Sequence, residues 1–320
     1  RADALALGEN DRAAVAASAG VLSNDSDVDA GAALVVSEVN GQTSSVGRTI
    51  ALASGARITM NADGSYVYDT NGAFAALAAG QTATDSVDYT VSDGKGGSAT
   101  ATLTLTIAGA NANPVAAADS GTVAEDGILA VAAPSGLLAN DSDPDRGAVL
   151  TVSAVNGSPA AVGSTILLAS GAKLTVNADG SYRYDPNGAF ESLAAGRSGT
   201  DSFTYTVSDG TGGTATATAT ITVTGVNDVP AAVADVVSVA EDAVLVVPAR
   251  GLLANDTDVD SGDGPRLVTA VNGNAAGVGS TVTLASGARL TVAADVVTRE
   301  LGEIGIGQQG ALERGAGLGQ

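Results

Sequence analysis

Alternating carboxylates are the residues of this 320-residue sequence best suited to chemistry, and they occur in three sets: Asp25, Asp27 and Asp29; Asp141, Asp143 and Asp145; Asp256, Asp258 and Asp260. In an extended loop, residues two apart point the same way, so each set is expected to aim its carboxylates to one side. Carboxylates held a few ångströms apart raise one another's pKa unless a cation neutralises them. Calcium suits such a set because it takes about six to eight oxygen ligands in irregular geometry and accepts backbone carbonyls and waters. The competing reading is an Asp/Asn/Ser turn that hydrogen-bonds to its own backbone and points its remaining charge into water. The spacing opens like a helix-loop-helix calcium site, but Val152 stands where that motif needs its closing Glu, and the flanks read as strands. A second candidate cluster gathers Glu125 and Asp126 with Asp209, Asn227 and Asp228, where an ion shared between successive units would stiffen the joint. The earlier joint, Asn111-Ala112-Asn113, offers no carboxylate where Asn227-Asp228 offers one.

The elements that must position these groups are themselves repeated. Leu22, Leu138 and Leu253 open the three acidic stretches at offsets of 116 and 115, while Asp3, Asp119 and Asp235, and likewise Glu9, Glu125 and Glu241, recur at 116. A fixed period means equal units strung in a line. The boundaries read from it are 1–110, 111–227 and an incomplete 228–295, followed by a divergent, disordered tail at 296–320.

Within the second unit, Phe203, Tyr205 and Val207 alternate with Thr204, Thr206 and Ser208. After Asp209-Gly-Thr-Gly-Gly213, Thr occupies every even position from 214 to 224 and Ala, Ile or Val every odd position between. This predicts a long hairpin with one apolar and one threonine face. Shorter strands are expected at 128–131, 149–155, 165–168 and 173–176, and around Tyr182 and Tyr184, with a helical turn over 190–195. The first unit repeats the scheme, with Val87 in the place of Phe203, so its core is expected to be less filled unless neighbours compensate. The third keeps step to Asp295, then reads Val296-Val-Thr-Arg-Glu-Leu-Gly-Glu303 where the second predicts Gly-Ser-Tyr-Arg-Tyr-Asp, as a change of reading frame or a truncated gene would leave it. Many short strands without a sustained helical period make an all-β fold of tandem antiparallel β-sandwiches in an elongated array.

Composition excludes much. The charge of −21 repels nucleic acid and anionic membrane and favours divalent ions or polar partners. Without Cys or His there are no disulfides, no serine or cysteine triads, and no zinc site other than one of oxygen ligands. No apolar run is long enough to span a bilayer, and no signal peptide is evident. The sequence opens on Arg1, as expected of a piece of a longer protein. Ser170-Gly-Ala-Lys173 has the spacing of a Ser/Lys catalytic pair, but its sisters carry Arg57 and Arg289, which cannot act as neutral bases. No catalysis is expected.

Glu125-Asp126, Leu137-Leu-Ala-Asn-Asp-Ser-Asp-Pro-Asp145, Asn177-Ala-Asp-Gly-Ser-Tyr-Arg-Tyr-Asp185, Asp201-Ser-Phe-Thr-Tyr-Thr-Val-Ser-Asp-Gly210 and Val226-Asn-Asp-Val-Pro230 follow one another in an order that resembles bacterial cadherin-like or immunoglobulin-like tandem repeats of large surface adhesins and related secreted proteins. The resemblance spans roughly residues 3–295. It implies an extracellular or cell-surface, calcium-dependent array in adhesion, biofilm or matrix contact. By similarity to cadherin junctions, Asn227-Asp228 before Pro230 looks like a calcium linker, a pattern from which Ala112 departs. The function expected is a calcium-rigidified structural spacer or adhesive segment whose partners are calcium ions and neighbouring repeats. The alternatives are a module binding polysaccharide or a host or cell-surface protein through loops, with Tyr182 and Tyr184 as a stacking platform, and a non-catalytic array attached to a secreted hydrolase.

Overall fold

The computed structural model describes residues 1–29, 31–248, 251–260, 266–294 and the backbone of 310–313. The first unit contains β1 (Asp3–Gly8), β2 (Arg12–Val15), β3 (Val35–Val39), β4 (Thr49–Ala51), β5 (Arg57–Met60), β6 (Tyr66–Asp69), β7 (Thr82–Ser92) and β8 (Ser98–Ala108). The second contains β9 (Asp119–Ala124), β10 (Leu129–Val131), β11 (Thr151–Val155), β12 (Thr165–Leu167), β13 (Lys173–Val176), β14 (Tyr182–Asp185), β15 (Ser198–Ser208) and β16 (Thr214–Thr224). Each unit packs two four-stranded sheets, ordered β1-β8-β7-β3 against β2-β6-β5-β4, and β9-β16-β15-β11 against β10-β14-β13-β12. The described chain has no α-helix, and the stretch 190–195 forms only a turn, closed by Leu193 N–H on Phe190 O at 2.9 Å.

The alternation explains the hairpin. In β15 and β16, Phe203, Tyr205, Val207, Ala219, Ile221 and Val223 are buried, and the threonines between them face outward, where a β-branched polar side chain keeps strand propensity without apolar exposure. Eleven residue pairs, from Ser198 with Thr224 to Ser208 with Thr214, hold the two strands in register. In that register Phe203 lies opposite Ala219, whereas in the first unit Val87 lies opposite Leu103. The volume lost at Val87 is thus restored directly across the ladder, and both cores stay filled.

In the first and second units the first strand pairs parallel to the last. β9 runs beside β16 from Asp119 opposite Ala219 to Ala124 opposite Thr224, and β1 runs beside β8 in the same way. The chain therefore enters a sandwich at one end and leaves at the other.

The third unit has β17 (Leu245–Val247), β18 (Thr281–Thr283), β19 (Arg289–Thr291) and β20 (Gly310–Glu313), in the order β17-β20-β19-β18. β20 occupies the slot that β14 fills between β10 and β13. Those four residues of the expected disordered tail are therefore a strand. The remainder of that tail, 296–309 and 314–320, lies outside the described residues.

Candidate metal centre

The acidic loops do not present their carboxylates to one side, because each loop is a turn rather than an extended segment. The chain just past the linker proline pairs with the loop: Val115 exchanges backbone hydrogen bonds with Ser142 at 2.7 and 3.0 Å, and Ala231 with Thr257 at 2.8 and 3.0 Å. The first carboxylate turns back toward that segment, Asp141 Oδ1 accepting Ala117 N–H and Asp256 Oδ1 accepting Val233 N–H, both at 2.7 Å. The second closes an Asx turn: Asp27, Asp143 and Asp258 accept the N–H of Asp29, Asp145 and Asp260, two residues on, at 2.7, 2.8 and 3.1 Å. The third faces the linker, Asp145 Oδ2 accepting Ala112 N–H at 3.0 Å and Asp260 Oδ2 accepting Asp228 N–H at 2.8 Å. In the first loop, Asp25 meets the Arg1 amino terminus and Asp29 is exposed.

Convergence occurs instead where the second unit meets the third. Glu125 leaves the end of β9, Asp228 comes from the linker and Asp260 from the third unit's loop, and an oxygen of each lies within 4.8 Å of the others. Glu125 Oε1 accepts Val226 N–H at 2.7 Å and Asp260 Oδ2 accepts Asp228 N–H at 2.8 Å, which fixes the linker against both units, while Asn227 Nδ2 donates to Asp228 O at 2.7 Å within it. Glu125 is 2 % and Asp260 7 % exposed, and Glu125 Oε2, Asp228 Oδ2 and Asp260 Oδ1 are buried with no hydrogen-bond partner. Three carboxylates gathered this closely, each with a buried and unpartnered oxygen, are costly without a positive charge beside them. Asp126 and Glu191 form a second group with the same Asp228. Burial first, then the charges of Asp260, Asp126 and Asp258, hold the Asp228 carboxyl above its ordinary pKa; burial, then Asp126, Asp228 and Glu125, do the same for Glu191. The donor set is all oxygen and irregular, which fits calcium, and it joins the ends of two units.

Glu191 escaped the sequence reading because its counterpart is Ala75, so no repetition marks it. Asp209 was grouped with Glu125 but sits at the other end of its unit. The β9–β16 register puts Thr224 beside Glu125, with the turn before Thr214 at the opposite end, next to the first linker. There Asp209 Oδ1 accepts the N–H groups of Thr211, Gly212 and Gly213 at 2.7–3.1 Å, and Oδ2 accepts Asn111 Nδ2 at 2.8 Å. Burial opposes its ionisation, and these hydrogen bonds outweigh burial and hold its pKa below the ordinary value. Asp209 is saturated by protein donors and latches the linker.

At the same end, Tyr205 donates to Asp119 Oδ2 at 2.7 Å, with Ala117 O at 2.8 Å, Leu137 O at 3.1 Å and Asp141 at 3.5 Å around the hydroxyl. Burial raises the Asp119 pKa; the Tyr205 hydrogen bond opposes this and the Asp141 charge adds to it. A carboxyl whose pKa is raised in the folded state contributes stability that is fully present below its unfolded value and is lost as pH rises through the folded one. Asp119→Asn keeps an acceptor for Tyr205 and removes the charge. Its urea midpoint is therefore expected to fall less than the parent's on going from mildly acidic to neutral pH, and equal falls would overturn this account.

Tyr182 and Tyr184 point inward and are buried, so they form no stacking platform. No helix among the described residues is long and apolar enough to cross a membrane.

Among solved structures, the chain is similar to protocadherin gamma B7 extracellular cadherin domains 1–4, at 16 % identity and TM-score 0.44 over 93 % of this chain and 67 % of that one. It is also similar to human CDH23 EC21-23, at 14 % and 0.45 over 85 % and 88 %, and to protocadherin gamma C5 EC1-3, at 14 % and 0.42 over 92 % and 89 %. No curated protein matches the chain. The bacterial Ig domain family matches residues 227–300. The bacterial cadherin-like domain family matches residues 1–109 and again 111–225, most of the chain, and these are the two complete sandwiches described above. This chain belongs to the bacterial cadherin-like domain family, as a non-catalytic adhesive or structural array of the kind typical of secreted and cell-surface proteins.

Proposed function

We propose that the chain is a spacer or adhesive segment of a secreted or surface-attached bacterial protein, divided at 1–110, 111–227 and 228–295, and that calcium held between units stiffens it. The observation that carries this reading is the convergence of Glu125, Asp228 and Asp260, each with a buried and unpartnered oxygen, from three segments that meet only at a joint. An ion there would bind the end of one sandwich, the linker and the next acidic loop at once, so the joint loses freedom when it loads. With the tyrosines turned inward, recognition of a polysaccharide or surface-protein partner falls to exposed loops.

A ligand that binds only the folded state at a thousand times its Kd stabilises it by about 4 kcal/mol. Calorimetric melting is therefore expected to move upward when calcium replaces chelator, and small-angle scattering to show a longer maximum dimension. Identical melting and identical dimension in the two conditions would overturn the proposal.

A further inference from the structure

The two joints are built on one backbone plan but carry different charge. At the second joint five carboxylates surround the linker: Glu125, Asp126, Glu191, Asp228 and Asp260. At the repeat offset, the first joint has Glu9, Asn10, Ala75, Ala112 and Asp145. Its cradle is otherwise preserved, since Ala112 N–H donates to Asp145 Oδ2 at 3.0 Å as Asp228 N–H donates to Asp260 Oδ2 at 2.8 Å. Glu9 and Asp145 are 4 % and 5 % exposed, and Glu9 Oε2 and Asp145 Oδ1 are buried without partners, like their counterparts at the second joint. Half a cation site remains.

Uncharged protein contacts also cross the first joint. Arg146 N–H in the second unit donates to Ala76 O in the first at 3.0 Å. Asn111 of the linker is held by Asp209 and Thr211, whereas the corresponding Asn227 donates to Asp228 O.

We propose that the array loads calcium in two steps: the second joint fills and stiffens first, and the first joint follows only at higher calcium, acting as a hinge in between. This rests on the calcium reading above. Calcium affinity follows the number of charged ligands and the rigidity of the site, so losing three of five carboxylates is expected to separate the two by about tenfold or more in Kd.

Calcium titration calorimetry of the whole chain tests this. Two affinity classes are expected. Glu9→Gln should abolish the weaker and leave the tighter; Asp228→Ala should pull the tighter down toward the weaker; Ala112→Asp with Ala75→Glu should raise the weaker toward the tighter. Circular dichroism checks folding, and Asp228→Ala only recreates what the first joint naturally carries. A single affinity class in the parent, or Glu9→Gln and Asp228→Ala acting on the same class, would overturn the two-step loading and leave the calcium reading standing. No calcium uptake by the parent would overturn both.

Discussion

Tyr205→Ala is expected to destabilise the second unit by about 3–5 kcal/mol, the range found when a large buried aromatic is cut to alanine. Tyr205 is fully buried among Leu137, Phe203 and Val207, so its removal opens a cavity that strands already held in register cannot collapse to fill. It also withdraws the hydroxyl that answers Asp119 Oδ2 and lies within reach of two backbone carbonyls, leaving acceptors crowded around a void. Tyr205→Phe separates the contributions: it keeps the ring and loses only the donor, for about 1–3 kcal/mol. Urea unfolding, with amide exchange along β15 to identify the unit that opens, measures both. If the alanine variant is no worse than the phenylalanine variant, packing of the ring is not what holds this end of the sandwich.

Gly225→Ala is the second large effect, and it acts at the joint. A Cβ there would lie 2.1 Å from Leu193 O and 2.4 Å from Ala194 O, backbone atoms of a turn that cannot swing aside. Gly225 N–H also donates to Arg197 O at 2.9 Å, so the last strand crosses this turn in contact before the linker departs. Gly109 repeats the geometry over Leu77 and Ala78. The expected cost is about 3 kcal/mol, the upper end for overpacking, together with a weaker calcium response because the linker carrying Asp228 leaves at a different angle. Gly121→Ala is the comparison: its close neighbours at 2.7 and 3.0 Å are the ends of the Leu129 and Ile221 side chains, which can rotate, so the cost should be nearer 1 kcal/mol. Equal melting temperatures for the two variants would show that the turn at 193–194 gives way.

These effects show which parts of the molecule were legible in the residues. The hairpin was readable in full, because period-two alternation from Phe203 to Val207 and the threonines from 214 to 224 leave one way to bury a face. The acids were readable as recurring positions, and Glu125 and Asp228 stand within 4.8 Å of one another at a joint. What the residues do not carry is the end of the sandwich at which a loop emerges. That depends on the parallel pairing of β9 with β16, a long-range choice without local signature, and it separates Asp209 from Glu125. Asp260 was assigned to a loop of its own for the same reason: its backbone turn, set by Asp258, aims it across to the preceding unit. β20 was hidden because it takes the place of a tyrosine-bearing strand, so no pattern announces it.

The same parallel pairing bears on how the array carries load. A pull on the two ends of a unit draws β9 and β16 in opposite directions along their common axis. The six paired positions from Asp119 to Ala124 then resist together in shear, instead of opening one at a time as they would if peeled from a shared end. Each sandwich is thereby wired to transmit tension along the chain, and the joints between sandwiches set how far it bends before that tension is felt.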